Sequence, residues 1–268
     1  FLHIPFPPAD VFRVLPQREE WLRGVLGADV VGFHTSTYLA HFVDACAVLL
    51  GARVETDGDD RLVHHGGRTT RCGAFPMGID AAHFDALGRD PKLLERARRH
   101  RRGSERLLVA IDRLDYTKGI RRRLLAFDRF LERHREWTGR VRLVQVAVPS
   151  RDGVAAYSSF SRRVNELVGR INGAHATPDV TPVHYITRPL PPAEVASLLR
   201  AADVAVITPI RDGMNLVAKE FAATRSDEDG VLVLSEFAGA AEGLDGAVVV
   251  NPYDVDATAD ALHAALSM

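Results

Sequence analysis

The chain has 268 residues, and its 46% hydrophobic and 26% charged content is typical of a globular protein with a large core. A formal net charge of −1 gives no broad positive field, so neither nucleic acid nor a membrane surface is expected as a partner. No apolar run approaches the ~18 residues of a membrane span and no signal peptide is recognisable, so a cytoplasmic location is expected. Two cysteines, Cys46 and Cys72, argue against a disulfide framework.

The first 85 residues predict part of one domain. The polar run DGDD fits a tight turn between two strands, and the histidines at 64 and 65 are predicted in another polar turn. These histidines have no cysteine or carboxylate at ligand spacing, so no metal is expected. The predicted elements are a strand at 30–33, a helix near 37–50, a hairpin-like pair at 52–57 and 61–75, and an exit from the domain at 76–80.

Residues 89–103 are rich in cations and contain the run RARRHRRG. Such a run is open to two interpretations, a nucleic-acid patch or a solvated linker helix. The absence of interleaved aromatic residues favours the linker helix.

From about residue 106 onward, apolar strands alternate with helices. This alternation predicts right-handed βαβ units and a parallel sheet covered on both faces, as in a Rossmann-like lobe. A GxGxxG fingerprint is absent, which argues against a dinucleotide dehydrogenase. Strands are predicted at 107–111, 141–148, 183–187, 204–208, 231–235 and 247–250, and helices at about 119–135, 154–170, 192–201, 214–224, 238–243 and 255–266.

The strongest functional signal is TPIRDGMNLVAKEF at 208–221, which joins a predicted strand to a predicted helix. The N-terminus of a helix offers unpaired N–H groups and a positive dipole, which suit a diphosphate. Asp212 at the turn can hold sugar hydroxyls, and Glu220 can accept a hydrogen bond from a ribose. Two other interpretations stay open: Asp212 as a helix cap and Glu220 as an exposed helix residue.

A second signal is IDRLDYTKG at 111–119, another strand-to-helix loop. Arg113 and Lys118 are expected there to converge on one phosphate group. The alternative is a surface loop with two solvated cations. Because both motifs follow the carboxyl ends of predicted parallel strands, where ligands bind in open sheets, we expect the two loops to meet.

These motifs and several others resemble the trehalose-6-phosphate synthase family in order and spacing along most of the chain. The resemblance implies an α/β fold of the GT-B type with two Rossmann-like lobes. Residues 1–85 would be the C-terminal part of the acceptor-side lobe, and 86–268 the lobe that binds the nucleotide sugar. The chain lacks an initiating Met and the family's first segment and final helix, so a fragment is expected. The matching blocks are HIPFPP (3–8), GFHT (32–35), RLDYTKG (113–119), VPSRDGVAAY (148–157), GRING (169–173), RDGMNLVAKEF (211–221), LSEFAGAA (234–241) and NPYD (251–254).

The resemblance further implies a retaining glucosyltransferase that uses a nucleotide-glucose, with UDP-glucose the expected donor, and glucose 6-phosphate as acceptor, without a cofactor. His3 would face the donor glucose from the other lobe, Arg151 would bind the acceptor phosphate, and the loop 186–190 would lie against the base. The expected catalytic residues are His3, Arg113, Lys118, Asp212 and Glu220. The expected donor-binding residues are Arg113, Lys118, Leu190, Asp212, Gly213, Met214, Asn215, Leu216, Val217, Ala218, Lys219 and Glu220.

Several alternatives remain at this stage. The acceptor could be another phosphorylated molecule such as glycerol 3-phosphate, or the chain could belong to a non-catalytic sensor of sugar phosphates. His3 could be structural, and Arg151 could pair with Asp152 on the surface. A homo-oligomer is left open.

Overall fold

Two units make up the chain in the computed structural model, Phe1–Gly78 and Ile79–Met268. The structure describes residues 1–101, 106–149 and 155–268, and the side chains of 155 and 156 are outside that description. The division falls before the expected boundary at residue 85. The reason is that α4 (Ala81–Arg89) packs on α8 (Pro192–Ala201) and α9 (Leu216–Thr224) of the second unit.

The first unit has a four-stranded sheet in the order β1-β4-β3-β2. Strand β1 runs parallel to β4, and β3 runs antiparallel to both β4 and β2. Its core includes the fully buried Phe33 and Phe42, with Leu22 from a helix. The elements are α1 (Ala9–Phe12), α2 (Arg18–Val25), β1 (Val30–Phe33), α3 (Ser36–Leu50), β2 (Arg53–Asp57), β3 (Asp60–His65) and β4 (Arg68–Ala74).

The predicted hairpin at DGDD is confirmed, because β2 and β3 pair antiparallel from Arg53 and His64 to Asp57 and Asp60. The length of its second strand and the histidine turn were predicted wrongly. The stretch expected as one strand at 61–75 is two strands, because the chain reverses at Gly66 and Gly67, whose φ angles are +57° and +76°. His64 therefore lies on β3, where its ring nitrogens contact Thr69 Oγ1 at 2.9 Å and a Glu55 carboxylate oxygen at 3.1 Å. Glycine adopts positive φ without steric cost, so the Gly-Gly pair was the available signal.

The second unit has a six-stranded parallel sheet in the order β10-β9-β8-β5-β6-β7, which confirms the predicted α/β class. The strands are β5 (Arg106–Arg113), β6 (Val141–Val148), β7 (Val183–Ile186), β8 (Val204–Ile207), β9 (Val231–Ser235) and β10 (Val248–Val250). The remaining helices are α5 (Pro91–His100), α6 (Ile120–Arg133), α7 (Ala155–His175) and α10 (Val255–Ser267), with 3₁₀ turns at Tyr116–Lys118, Arg135–Trp137 and Gly239–Gly243.

Helices cover both faces of this sheet. Leu108 and Leu143 pack into a cluster with Phe127 of α6, whereas Val109 and Val144 pack into a second cluster with Phe221 of α9. Neighbouring residues of one strand thus enter opposite clusters, which explains why the strands read as continuous apolar runs. Polar residues are left mainly at the strand ends, where the candidate site lies.

The cationic segment forms helix α5, but it is more than a solvated linker. Leu93 and Ala97 are buried, and the helix packs on α8. Its arginines lie outside this buried face, as the amphipathic pattern requires. Within the described part of the chain, no helix is both long and apolar enough to span a membrane.

Candidate functional site

The two predicted loops meet at the carboxyl ends of β5 and β8. The Lys118 Nζ atom lies 2.7 Å from an Asp212 carboxylate oxygen, and both side chains are mostly buried. The backbone joins the loops as well, because the Ile210 N–H donates to the Thr117 carbonyl at 2.8 Å. The expected meeting of the loops is therefore confirmed, although Lys118 is held by a carboxylate and is not a solvated cation.

Arg113 ends β5 with an exposed side chain and makes no ion pair with any residue that the structure describes. Its charge still acts on the loop. Burial opposes ionisation of Asp115, but hydrogen bonds from Thr117 and Tyr157 and the charge of Arg113 outweigh it and lower the pKa of that carboxyl. Asp115 is thus an anion that fixes the turn between Arg113 and Lys118.

Beneath both loops lies Arg123 of α6, whose side chain is almost fully buried. Its guanidinium donates to a carboxylate oxygen of Asp112 at 2.6 Å and to Gln145 Oε1 at 2.9 Å. It also donates to Thr208 Oγ1 and to the Lys118 carbonyl, both at 3.1 Å. One buried cation therefore links β5, β6 and the end of β8 to the loop that carries Lys118.

Gly119 permits this close approach of the loops. Its φ is +69°, and a Cβ atom added there would lie 2.0 Å from the Thr208 carbonyl oxygen. Neither the backbone angle nor the space allows another residue without movement.

We expect Gly119→Ala to disrupt the contact between the loops and to lower stability by more than the ~1 kcal/mol that an unfavourable φ costs. The matched control is Gly51→Ala, because Gly51 has a φ of +65° but nothing within 4 Å of the added Cβ. Urea unfolding of both variants measures the difference. Equal losses in the two variants would contradict the importance of the contact.

Helix α9 is capped by Asn215 and not by Asp212, so the capping interpretation of Asp212 was wrong. The Asn215 side chain accepts from the Ala218 N–H at 3.2 Å and donates to the Asp212 carboxylate at 3.0 Å. Asn215 has a positive φ of 76°, an uncommon conformation that asparagine tolerates better than most residues. The cap thus also orients the Asp212 carboxylate.

The segment LSEFAGAA holds this loop from the neighbouring strand. The Asp212 N–H donates to the Phe237 carbonyl, and the Asp212 carbonyl accepts from the Gly239 N–H, both at 3.1 Å. The Ala240 N–H donates to the Met214 carbonyl at 2.7 Å. Main-chain bonds on both sides fix the turn Asp212–Asn215 independently of any ligand.

At the start of α9, the N–H groups of Leu216 and Val217 have no hydrogen-bond acceptor among the described residues. Two unpaired donors and the helix dipole, next to Lys118, form a geometry suited to a phosphate group.

Glu220 is half-buried, so its interpretation as an exposed helix residue was wrong. Burial raises the pKa of Glu220 above its ordinary value. Leu190 is partly buried against the apolar cluster of α9, and Lys219 is also partly buried.

The two remaining expected site residues are His3 and Arg151. His3 is exposed in the first unit, with its ring 4.9 Å from that of Phe1 and 5.4 Å from that of the buried His34. Arg151 lies outside the described residues.

Three buried polar residues were not predicted from the sequence: Asp112, Arg123 and Gln145. Each interrupts an apolar pattern: Asp112 and Gln145 lie in apolar strands, and Arg123 lies on the inward stripe of α6. A polar residue at a core position is the signal that could have found them.

Among the described residues, one group of three could hold a metal ion: His134, Glu136 and His263. The two imidazole rings are stacked 3.8 Å apart and nearly parallel, so their lone pairs do not converge. The Nε1–H of Trp137 donates to His263 Nδ1 at 3.3 Å. The stacked rings and this bond join the segment that follows α6 to α10, and we propose no metal site here.

Comparison with known proteins identifies the family. The model for glycosyltransferase family 20 matches residues 1–268. An α,α-trehalose-phosphate synthase (UDP-forming) of Aspergillus fumigatus is 46% identical over 270 residues, covering all of this chain and 56% of that protein. A bifunctional trehalose-6-phosphate synthase/phosphatase of Thermoproteus tenax is 47% identical, with 37% of its length covered.

Solved structures agree. A trehalose-phosphate synthase of Burkholderia xenovorans in complex with glucose-6-phosphate superposes with a TM-score of 0.93 at 38% identity, covering all of this chain and 60% of that one. An Escherichia coli protein bound with UDP-2-fluoro glucose gives 0.91 at 36% identity, with 59% covered. This likeness confirms the expected GT-B fold class, and the chain spans between 37% and 60% of the length of these relatives. The full-length family match, together with the paired loops, shows that the chain belongs to glycosyltransferase family 20.

Proposed function

We propose that the full-length protein transfers glucose from UDP-glucose to glucose 6-phosphate, with retention, to give trehalose 6-phosphate. The observation that carries this proposal is the Lys118–Asp212 pair at the open N-terminus of α9. It supplies a cation, two free N–H groups and a carboxylate within one pair of loops. A diphosphate sugar needs the first two for its phosphates and the third for its sugar hydroxyls.

In this proposal the diphosphate lies against Lys118, Arg113 and the N–H groups of Leu216 and Val217. The transferred glucose is held by Asp212 and the turn 213–215, and the ribose is held by Glu220. Leu190 and the residues near it contact the base. His3 faces the glucose, and Arg151 binds the acceptor phosphate.

The proposed chemistry is front-face attack by the acceptor hydroxyl on the anomeric carbon. The bond from that carbon to the diphosphate oxygen breaks while the new glycosidic bond forms, and the leaving diphosphate takes the hydroxyl proton. No carboxylate nucleophile is needed, unlike in most retaining glycosidases. Rate enhancement then comes from alignment of the substrates and from stabilisation of the leaving group's charge by Lys118 and Arg113.

Support for these substrates comes from the relatives. The Aspergillus protein is named as UDP-forming, and the Burkholderia and Escherichia coli structures contain glucose-6-phosphate and a UDP-glucose analogue respectively. A sensor without catalysis would have no need of the intact cation and carboxylate set. The alternative acceptor, glycerol 3-phosphate, is distinguished from glucose 6-phosphate by testing both acceptors directly.

The test is to incubate the full-length protein with UDP-glucose and either glucose 6-phosphate or glycerol 3-phosphate, and to identify the products by mass spectrometry and NMR. We expect an α,α-linked disaccharide phosphate with the first acceptor and no transfer to the second. Product with glycerol 3-phosphate alone would favour the related synthase, and no product with either would favour the sensor.

The raised pKa of Glu220 gives a pH-dependent prediction. A carboxylate accepts hydrogen bonds from both ribose hydroxyls, and the protonated acid does so less well. Because burial favours the neutral form, protonation should occur at a higher pH than for an ordinary glutamate. We expect the donor KM to rise as pH falls through this raised pKa, and the effect to be absent at higher pH.

The control is Glu220→Gln, which should have a raised donor KM that no longer varies over this pH range. Calorimetric titration with UDP at several pH values separates binding from chemistry. A pH dependence that persists unchanged in Glu220→Gln would assign it to another group.

A further inference from the structure

A groove beside the edge strand β7 lies outside the loops that carry Lys118 and Asp212, and it shares only residues 186–188 with the loop proposed beside the base. Its main cavity has a volume of about 470 Å³ and is lined by the end of α5, the start of α8 and strands β6 and β7. Two smaller cavities, of about 310 and 260 Å³, share lining residues with it and extend it along β7 and α5. The main volume is within the range of small-ligand sites.

Alternation along the strands decides which side chains face the groove. Val144 and Ile186 pack on the side of α8, whereas Tyr185 packs into the cluster on the opposite face of the sheet. Arg142 and His184 lie two residues from Val144 and Ile186 on their strands, so they share the groove's face. The groove therefore combines an apolar floor with cationic or ionisable side chains at the same edge.

The lining carries a net positive charge. Arg99, Arg142 and Arg188 line the main cavity against a single carboxylate, that of Glu194, which leaves two positive charges when the histidines are neutral. Arg99 also forms an ion pair with Glu95 on the same helix, but both side chains are largely exposed. Exposed pairs are weak and exchange partners readily.

His100 is a half-buried histidine at the end of α5 that also lines the main cavity. Its Nε2–H donates to Ser197 Oγ at 3.0 Å, because the Ser197 hydroxyl proton is already given to the Glu194 carbonyl. Burial lowers the pKa of His100, and Arg142 and His184 lower it further while Glu194 opposes them. Burial is the largest of these effects, so His100 favours the neutral form, and an anion bound beside it would favour the charged form.

We propose that this groove binds a small molecule that carries a phosphate group. Arginine forks match phosphate oxygens, and the floor of Val144, Ile186 and Leu198 would contact the less polar part of the ligand. The groove shares residues 186–188 with the loop expected beside the base, but the loops of Lys118 and Asp212 do not line it. The site is therefore distinct from the donor diphosphate site.

The experiment measures binding of inorganic phosphate to the full-length protein by calorimetry, at constant ionic strength. All variants carry Arg151→Ala, which removes the proposed acceptor phosphate contact, and saturating UDP occupies the donor loops. We expect phosphate still to bind, and to bind about tenfold more weakly in Arg99→Gln/His184→Gln, the effect of losing roughly one charge-assisted contact. The matched control is Arg98→Gln, an exposed arginine of the same helix that lines none of the three cavities.

A single charge reversal, Arg99→Glu at an exposed helix position, guards against misfolding of the double variant and should also weaken phosphate binding by at least about tenfold. Equal affinity in Arg99→Glu and Arg98→Gln would overturn the proposal, as would complete loss of phosphate binding when UDP is added. Glucosyl transfer, measured separately in Arg99→Gln/His184→Gln with Arg151 intact, should be unchanged. The phosphate titrations therefore test the proposed groove site, and the transfer assay tests the proposed reaction separately.

Discussion

Replacing Lys118 with alanine in the full-length protein is expected to lower kcat/KM for the nucleotide-sugar donor by about 10²–10³-fold, the usual effect of removing one donor to a developing charge. Lys118 is the mostly buried cation of the two loops, and its Nζ atom lies beside the open end of α9. In water-poor surroundings its attraction for a leaving diphosphate is only weakly screened. Arg113→Ala should lower the same constant by less, since Arg113 is exposed.

The ion pair with Asp212 allows a sharper version of this test. Lys118→Ala should weaken UDP binding, because UDP contains the diphosphate that the lysine contacts. Asp212→Asn should leave UDP binding intact or strengthen it while transfer falls, since the carboxylate would hold only the sugar. If the Lys118–Asp212 pair were only structural, both variants would show the same loss of UDP affinity and of transfer.

The control for surface charge is Lys92→Ala, which removes an exposed lysine of α5. Donor kinetics and UDP calorimetry should be unchanged in it. Unaltered UDP affinity in Lys118→Ala would remove Lys118 from the diphosphate site and would leave its bond to Asp212 as a structural link between the loops.

The sequence allowed the parallel sheet and the meeting of its loops to be predicted, because each relies on a local pattern. The run 204–208 is apolar and β-branched, and a turn follows it, so its strand and the position of Asp212 can be read locally. The same local reasoning failed at 61–75, where Gly66 and Gly67 divide one apparent strand into two.

What could not be predicted depends on residues that are distant in the chain. The bond between Lys118 and Asp212 joins positions on two loops, and the same two loops approach closely where Gly119 meets Thr208. Likewise, the apolar stripe of α6 points to Arg123 within the run of three arginines at 121–123, but it does not reveal which partners Arg123 would have. Those partners are on other strands and on the loop of Lys118, and only the packing of α6 on the sheet brings them to the buried Arg123, while Arg121 stays exposed.

Among the arginines at 121–123, replacement of Arg123 is expected to have the largest effect on stability. We expect Arg123→Ala to lower the free energy of unfolding by about 3–5 kcal/mol, because it leaves the buried Asp112 carboxylate without its cation. Thr208, Gln145 and the Lys118 carbonyl would lose their donors as well. Urea unfolding of the full-length protein, followed by circular dichroism, measures the loss.

The matched control is Arg121→Ala in the same turn of α6, which removes an exposed arginine and should change stability by no more than about 0.5 kcal/mol. Arg123→Lys tests geometry, since it keeps the charge but cannot donate to Asp112, Thr208 and the Lys118 carbonyl at once. We expect it to recover part of the stability and still to raise the donor KM, because the loops are no longer joined by one planar group. Full stability and unchanged donor kinetics in Arg123→Lys would show that charge alone is required. If Arg121→Ala lowered the free energy of unfolding as much as Arg123→Ala, burial of the Arg123–Asp112 pair would not explain the loss of stability.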